Sequence, residues 1–203
     1  MSKWYVLLLF IVSPVLKADE LTDAGRDVFE TIAGVGCASC HGQYAEGDVG
    51  VGPYIRGASE GMVRAAIEGN DLMIAIQNAI SEREIEAVSA YLQQLGSMQV
   101  ARTLLKRGRF IPDGISVRPG TFVQVIIENA GFTEAVFSSR EMSAEPLSIA
   151  GRATASFDWQ APDETGTYSL ACINCKLKDQ TFTIIVDPNA PEFRSPAPGA
   201  TNE

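Results

Sequence analysis

Histidine is nearly absent from this sequence, because His41 is the one histidine among 203 residues. Sites that need two or more imidazoles, which include most catalytic zinc sites and the blue-copper sites, are therefore excluded. Basic residues are also in the minority: 16 Lys and Arg stand against 25 Asp and Glu, which gives a net charge of −9 at pH 7. That sign is wrong for a protein that neutralises many phosphates, so we expect no nucleic acid among its partners.

Long apolar runs are missing as well. The run at residues 4–12 has nine residues, too few for a helix that crosses a bilayer core of about 30 Å. Lys3 before this run, and Pro14 and Ala18 after it, are typical of a secretory signal peptide at residues 1–18. We therefore expect export to a periplasm of the Gram-negative type, with membrane attachment only if this segment is retained.

The charges divide the remaining chain into two modules. Residues 19–100 hold 13 acidic and four basic residues, whereas residues 101–203 hold 12 acidic and ten basic residues. The first module has a helical pattern. Ser81 and Glu84 form a capping box, and the residues that follow place one apolar face inward at helical spacing: Ile85, Val88, Leu92 and Leu95.

The second module has the pattern of short strands. From Phe110 onwards, β-branched and aromatic segments alternate with turn signals such as Pro119-Gly120, which predicts a β-sandwich of about seven strands. The predicted organisation is a signal peptide at 1–18, an all-α domain at 19–100, a basic linker at 101–109, an all-β domain at 110–187 and a disordered, proline-rich tail at 188–203.

The motif Cys37-Ala-Ser-Cys40-His41 has the C-x-x-C-H form of covalent haem c attachment. Two thiols must add to the vinyl groups of one porphyrin while the next residue offers its imidazole to the iron, and one compact turn provides all three groups. A zinc site would need further ligands close by, and a thioredoxin-like redox pair would need a βαβ context. We expect one covalent haem c.

Residues 20–96 resemble the class I monohaem cytochromes c. The resemblance is carried by Cys37 to His41, by the segment Gly52-Pro-Tyr-Ile-Arg-Gly57, and by terminal helices containing Gly25 and Tyr91. It implies that Gly25 and Tyr91 mark a contact between the first and last helices. It also implies that the Pro53 carbonyl orients His41 through its ring N–H.

The same resemblance implies a methionine as the second axial ligand of the iron. Met73 stands where the family places this ligand, although Ile74 follows it where the family usually has proline. One alternative is Met62, on the apolar face of a predicted helix at residues 59–68. The other is a different ligand, or iron with an open position. With iron bound on both sides, the haem would relay electrons, so the chain is not expected to be an enzyme by itself.

Residues 108–187 resemble the cupredoxins, which are Greek-key β-sandwiches that usually hold blue copper. The segments Phe110-Ile-Pro112 and Gly166-Thr-Tyr168 match, and Cys172 occupies the position of the copper thiolate. The two histidines of a blue-copper site are missing, so we expect no such copper. Cys172 and Cys175 then predict a disulfide, or alternatively a Cu(I) site with Met142 as a further ligand.

These features predict an exported cytochrome that carries single electrons, with the sandwich serving for docking or structure. Its partners would be redox proteins with a basic docking surface, because the haem-bearing module is acidic. Two alternatives stay open. One is a Cu(I)-handling or thiol-redox protein that uses Cys172 and Cys175, with the haem as an electron relay. The other is an electron-transfer subunit of a larger oxidoreductase.

Overall fold

A computed structural model describes residues 15–47, 50–143, 145–175 and 180–199 of the chain. The chain divides into two compact units. Among the described residues, one unit comprises residues up to Leu95 together with 197–199, and the other lies within Gly96–Pro196. The predicted signal peptide at 1–18 lies outside the described residues except for its last four, whose backbone begins the first helix. No helix in the described ranges has the length and apolar character needed to cross a membrane.

The helical unit has five α-helices within the described ranges. They are α1 (Val15–Thr31), α2 (Ala38–His41), α3 (Glu60–Gly69), α4 (Ile74–Gln77) and α5 (Glu82–Gly96). The predicted capping box before α5 is confirmed, because the hydroxyl and the backbone N–H of Ser81 donate to the Glu84 carboxylate at 2.6 and 2.7 Å. The apolar face of α5 is buried as predicted, at Ile85, Val88, Leu92 and Leu95.

Helices α1 and α5 meet at a glycine. A methyl group at Gly25 would overlap the backbone carbonyl of Ala87 and would lie 3.0 Å from Cβ of Tyr91. The rings of Phe29 and Tyr91 pack with centroids 5.5 Å apart, and Phe29 is completely buried. The helix contact that Gly25 and Tyr91 were expected to mark is therefore present.

In the part of the second unit that the structure describes, nine strands form two sheets. They are β1 (Gln99–Lys106), β2 (Arg109–Ile111), β3 (Gly114–Val117), β4 (Phe122–Asn129), β5 (Ala135–Ser138), β6 (Leu147–Ile149), β7 (Thr154–Gln160), β8 (Gly166–Cys172) and β9 (Thr181–Val186). The sheet orders are β2-β1-β4-β7 and β3-β9-β8-β5-β6. Two pairs are parallel, β1 with β4 and β3 with β9. One buried core draws on both sheets, as in a sandwich. The predicted order, a helical domain followed by an all-β domain, is confirmed.

The structure differs from the predicted boundaries at residues 101–109. Most of the predicted basic linker belongs to β1, which pairs with β4 in the middle of a sheet. Buried and more exposed side chains alternate along this strand: Ala101, Thr103 and Leu105 are buried. Arg102 is only half-buried and Lys106 is exposed. The basic side chains therefore lie away from the core, and their charge does not mark a linker.

The predicted disordered tail also differs within its described part, residues 188–199. These residues form no helix or strand, yet Ala190 is buried and its carbonyl accepts a hydrogen bond of 2.7 Å from Nε of Arg118. Further along, the backbone N–H of Gly199 donates to the Tyr54 carbonyl at 2.7 Å. Because such bonds use backbone groups, a segment with few apolar side chains is still held in place.

Candidate haem-binding site

The two thiols and the imidazole of the C-x-x-C-H motif are set by one helical turn. The carbonyl of Cys37 accepts hydrogen bonds from the backbone N–H groups of Cys40 and His41, at 3.2 and 3.0 Å. Both cysteines are free thiols; Cys37 is half-buried and Cys40 is exposed. Burial raises the pKa of the Cys37 thiol to about 11. The turn thus holds three potential attachment groups within five consecutive residues.

The imidazole of His41 is oriented by a backbone carbonyl. Its Nδ1 lies 2.9 Å from the carbonyl oxygen of Pro53, the contact that the family resemblance implies. Because a carbonyl can only accept, Nδ1 carries the proton, and the lone pair of Nε2 is left for a metal. A methyl group at Gly52 would stand 2.6 Å from Nδ1. The absence of a side chain at Gly52 therefore lets this segment lie against the ring.

An apolar cavity lies beside this histidine. It is bounded by the helices and by the segment that carries Pro53, and almost all of its lining side chains are apolar. The residues that line it are Cys37, His41, Pro53, Ile55, Ala58, Met62, Val63, Ala66, Ile67, Asn70, Met73, Ile80, Val88, Leu92, Pro198 and Gly199. An apolar cavity with a few convergent polar groups is the usual form of a cofactor site.

Both candidate methionines line the cavity, so geometry alone does not choose between them. Met73 ends a 3-10 turn at Asp71–Met73 and packs against a buried cluster formed by Ile32, Ile67, Ile76 and Ile85. Met62 lies in α3 with 44% of its surface exposed. Met73 is therefore the more firmly packed of the two thioethers.

The residues present fit a covalently bound haem. The Cys37 thiol, the imidazole of His41 and the thioether of Met73 border one largely apolar cavity. The exposed thiol of Cys40 lies in the same helical turn as His41. This donor set is that of a c-type haem with histidine and methionine as axial ligands. His41, Met73, Cys37 and Cys40 are the residues that would hold it.

Arg56 is a structural residue whose role the sequence did not indicate. Its side chain is completely buried, and its guanidinium donates hydrogen bonds to the carbonyls of Tyr44, at 3.1 Å, and of Leu95. Burial lowers the pKa of Arg56, and the nearby Tyr54 and Glu46 oppose that shift. Because the Leu95 carbonyl belongs to α5, Arg56 ties the Pro53 segment to the last helix.

Cys172 and Cys175 are joined by a disulfide, with their Cα atoms 5.5 Å apart. Asn174, between them, accepts a hydrogen bond of 2.9 Å from the backbone N–H of Val136 and donates one of 3.2 Å to the Glu134 carbonyl. Met142, considered above as a copper ligand, is buried in the sandwich core. Within the described ranges, no three His, Cys, Asp or Glu side chains are grouped as a metal site would require.

Comparison with known families decides the nature of the helical unit. Residues 20–92 match the family model described as cytochrome C oxidase, cbb3-type, subunit III. Residues 20–92 are a c-type cytochrome domain. The match spans less than half of the chain, and it includes every haem-site residue named above except Pro198 and Gly199. The chain thus contains an electron-transfer domain, and redox proteins are its partners. No curated protein sequence is similar enough to match the chain.

Among solved structures, the chain is similar to copper proteins and to an oxidase domain. Auracyanin A, a "blue" copper protein from Chloroflexus aurantiacus, has 12% identity and a TM-score of 0.36, over 43% of this chain and 98% of that chain. The periplasmic domain of subunit II of cytochrome oxidase from Bradyrhizobium japonicum has 10% identity and a TM-score of 0.36, over 45% and 85%. Each comparison covers less than half of this chain.

Proposed function

We propose that this chain is an exported carrier of single electrons, with one haem c attached through Cys37 and Cys40 and bound axially by His41 and Met73. The observation that carries the proposal is the His41–Pro53 contact of 2.9 Å at the wall of an apolar cavity, with the free thiols of Cys37 and Cys40 in the same turn as His41. When bound, the haem supplies an iron that gains and loses one electron.

The residues around the cavity hold the site rigid and dry. The Pro53 carbonyl fixes the imidazole ring and raises the basicity of its second nitrogen. Ile67 and Ile80 help to keep water from the cavity, where a low dielectric favours the less charged state of a bound metal. If His41 and Met73 both held the iron, a substrate would have no site on the metal.

Met73 is proposed as the second axial ligand because it is better packed than Met62. A ligand held by the isoleucine cluster loses little further freedom when it binds, whereas Met62, which is 44% exposed, would have to be ordered.

Mass spectrometry and spectroscopy of the matured protein test this proposal. We expect the mass of one haem to stay with the denatured chain, and the oxidised protein to have a weak near-infrared sulfur-to-iron band. Met73→Ala abolishes this band, whereas the control Met62→Ala retains it. Pigment that is extracted by acid would refute covalent attachment, and a band that survives in Met73→Ala would refute the axial assignment.

The periplasm is the proposed location of the mature chain. The signal-like pattern at residues 1–18 supports export, and the Cys172–Cys175 disulfide fits an oxidising compartment. Cell fractionation should recover the haem-containing chain in the periplasmic fraction. Recovery of the pigment in the cytoplasm would contradict the proposal.

An acidic haem-bearing domain favours basic redox partners. Residues 19–100 have a net charge of −9, which attracts a positively charged partner at low ionic strength. Electron exchange with hexaammineruthenium, a cation, should slow as salt is added, whereas exchange with ferricyanide, an anion, should become faster. Equal salt responses for the two probes would argue against electrostatic docking at this domain.

Membership in a larger oxidoreductase is a second candidate, and the description of the matching family favours it. In that case the chain delivers electrons within a complex instead of diffusing between partners. Purification under mild conditions distinguishes the two, since a subunit co-purifies with other chains in fixed stoichiometry. A monodisperse single chain supports the free carrier.

For the β domain we propose a docking or structural role, with Cys172 and Cys175 as a disulfide. The bracing of Asn174 by Val136 and Glu134 supports a fixed loop. The competing Cu(I) or thiol-redox role is tested by metal analysis. One iron per chain without copper supports the structural role, whereas stoichiometric copper that is lost in Cys172→Ser would overturn it.

A further inference from the structure

The segment after the β domain returns to the cavity of the helical unit. Residues 197–199 belong to the same compact unit as the helices, and Pro198 and Gly199 line the cavity together with His41 and Met73. The matching cytochrome family model ends at residue 92. These two lining residues therefore come from outside the segment that defines the cytochrome domain.

The segment is held by a specific backbone contact. The N–H of Gly199 donates to the Tyr54 carbonyl at 2.7 Å, and the preceding carbonyl, that of Pro53, accepts from Nδ1 of His41 at 2.9 Å. Two consecutive carbonyls, those of Pro53 and Tyr54, thus accept hydrogen bonds from the imidazole and from the Gly199 backbone respectively. Gly199 has φ +94°, a conformation that glycine adopts at little cost. A glycine at this position therefore suits the backbone conformation in which the contact is made.

We propose that residues 197–199 form a wall of the haem cavity and stabilise the carbonyl-bearing segment that orients His41. This inference rests on the haem function proposed above. Solvent exposure is one of the factors that set the reduction potential of haem iron. Pro198 adds apolar surface to the cavity and would therefore help to keep water away from the iron. The bond from Gly199 to Tyr54 limits motion of the residue next to Pro53. Loss of the segment should admit water and lower the reduction potential.

Two shortened chains test the proposal. One stops after Pro196 and loses the wall, whereas its matched control stops after Gly199 and keeps it. We expect both to bind haem covalently, the first to have a lower midpoint potential than the 203-residue chain, and the second to be unchanged. Gly199→Ala, which disfavours the required backbone conformation, should shift the potential in the same direction by a smaller amount. Equal potentials in all four proteins would overturn the proposal.

Hydrogen exchange of the Gly199 amide provides a readout that does not depend on electron transfer. One hydrogen bond to Tyr54 should slow this exchange roughly two- to tenfold relative to an unstructured peptide. Exchange at the unstructured rate in the 203-residue chain would refute the contact even if haem is bound. A chain that carries no covalent pigment, but whose Gly199 amide is protected, would instead refute the proposed haem function and leave the backbone contact intact.

Discussion

The two domains fill their interiors in different ways. The β domain completes its own core, with Val123, Ile127 and Phe182 all fully buried between its sheets. In the helical unit, a small isoleucine cluster borders an apolar cavity instead. The sandwich is thus filled by its own side chains, whereas the helical unit has a cavity that the proposed haem would occupy. It follows that changes to haem attachment and changes to the sandwich should act on separate domains.

Removal of the attachment thiols should have the largest effect. In Cys37→Ser combined with Cys40→Ser, we expect loss of covalent haem and of cooperative unfolding in the helical unit, because the cavity then lacks the apolar contacts of the porphyrin. Circular dichroism and NMR would follow each domain. The control is Cys40→Ser alone, which keeps one attachment thiol. An unchanged helical melting transition in the double variant would contradict the dependence on haem.

The converse change lies in the sandwich core. Phe182→Ala should lower the free energy of unfolding of the β domain by about 3–5 kcal/mol, because it removes a fully buried ring. Denaturant unfolding followed by Trp159 fluorescence measures this. Phe132→Ala is the matched control: that ring is 84% exposed and contacts Arg152, a contact that contributes about 0.5–1 kcal/mol. A similar loss in both variants would contradict the assigned core.

Arg56 tests whether polar contacts also stabilise the helical unit. Arg56→Leu removes the donors to the Tyr44 and Leu95 carbonyls, and we expect a loss of about 2–4 kcal/mol because two buried acceptors lose their partner. Arg56→Lys keeps the charge with fewer donors and should fall between the variant and the wild type. Thermal unfolding monitored at the haem absorption measures the effect. Wild-type stability in Arg56→Leu would show that the cavity contents alone determine stability.

The capping box should give the smallest effect. Ser81→Ala removes the N-cap of α5 and should cost about 1 kcal/mol at neutral pH. The hydroxyl and backbone N–H of Ser81 lower the pKa of the Glu84 carboxyl below its usual 4.5. Because the pKa of Glu84 is lower in the folded chain than in the unfolded chain, its carboxylate stabilises the fold at any pH above the unfolded-state pKa. This stabilisation is lost as the pH falls through the folded-state pKa. The difference in free energy of unfolding between Ser81→Ala and the wild type should therefore shrink in acid. A difference that does not change with pH would argue against a contribution from the ionised Glu84 carboxylate.

The features that sequence could predict are those with a local chemical signature. The C-x-x-C-H spacing predicted Cys37, Cys40 and His41 as a haem site, and the capping box located the start of α5. Strand β1 escaped prediction because Arg102 and Lys106 suggested a linker, although they occupy the outward positions of an alternating strand. Pro198 and Gly199 escaped for a different reason: Gly199 is held through its backbone, which leaves no pattern of side chains to detect.

The order of residues along the chain has a consequence for assembly. Residues up to Leu95 are synthesised about 100 residues before Pro198 and Gly199, which complete the cavity wall in the finished protein. Under the proposal above, a chain that ends before these residues would have that side of the cavity open.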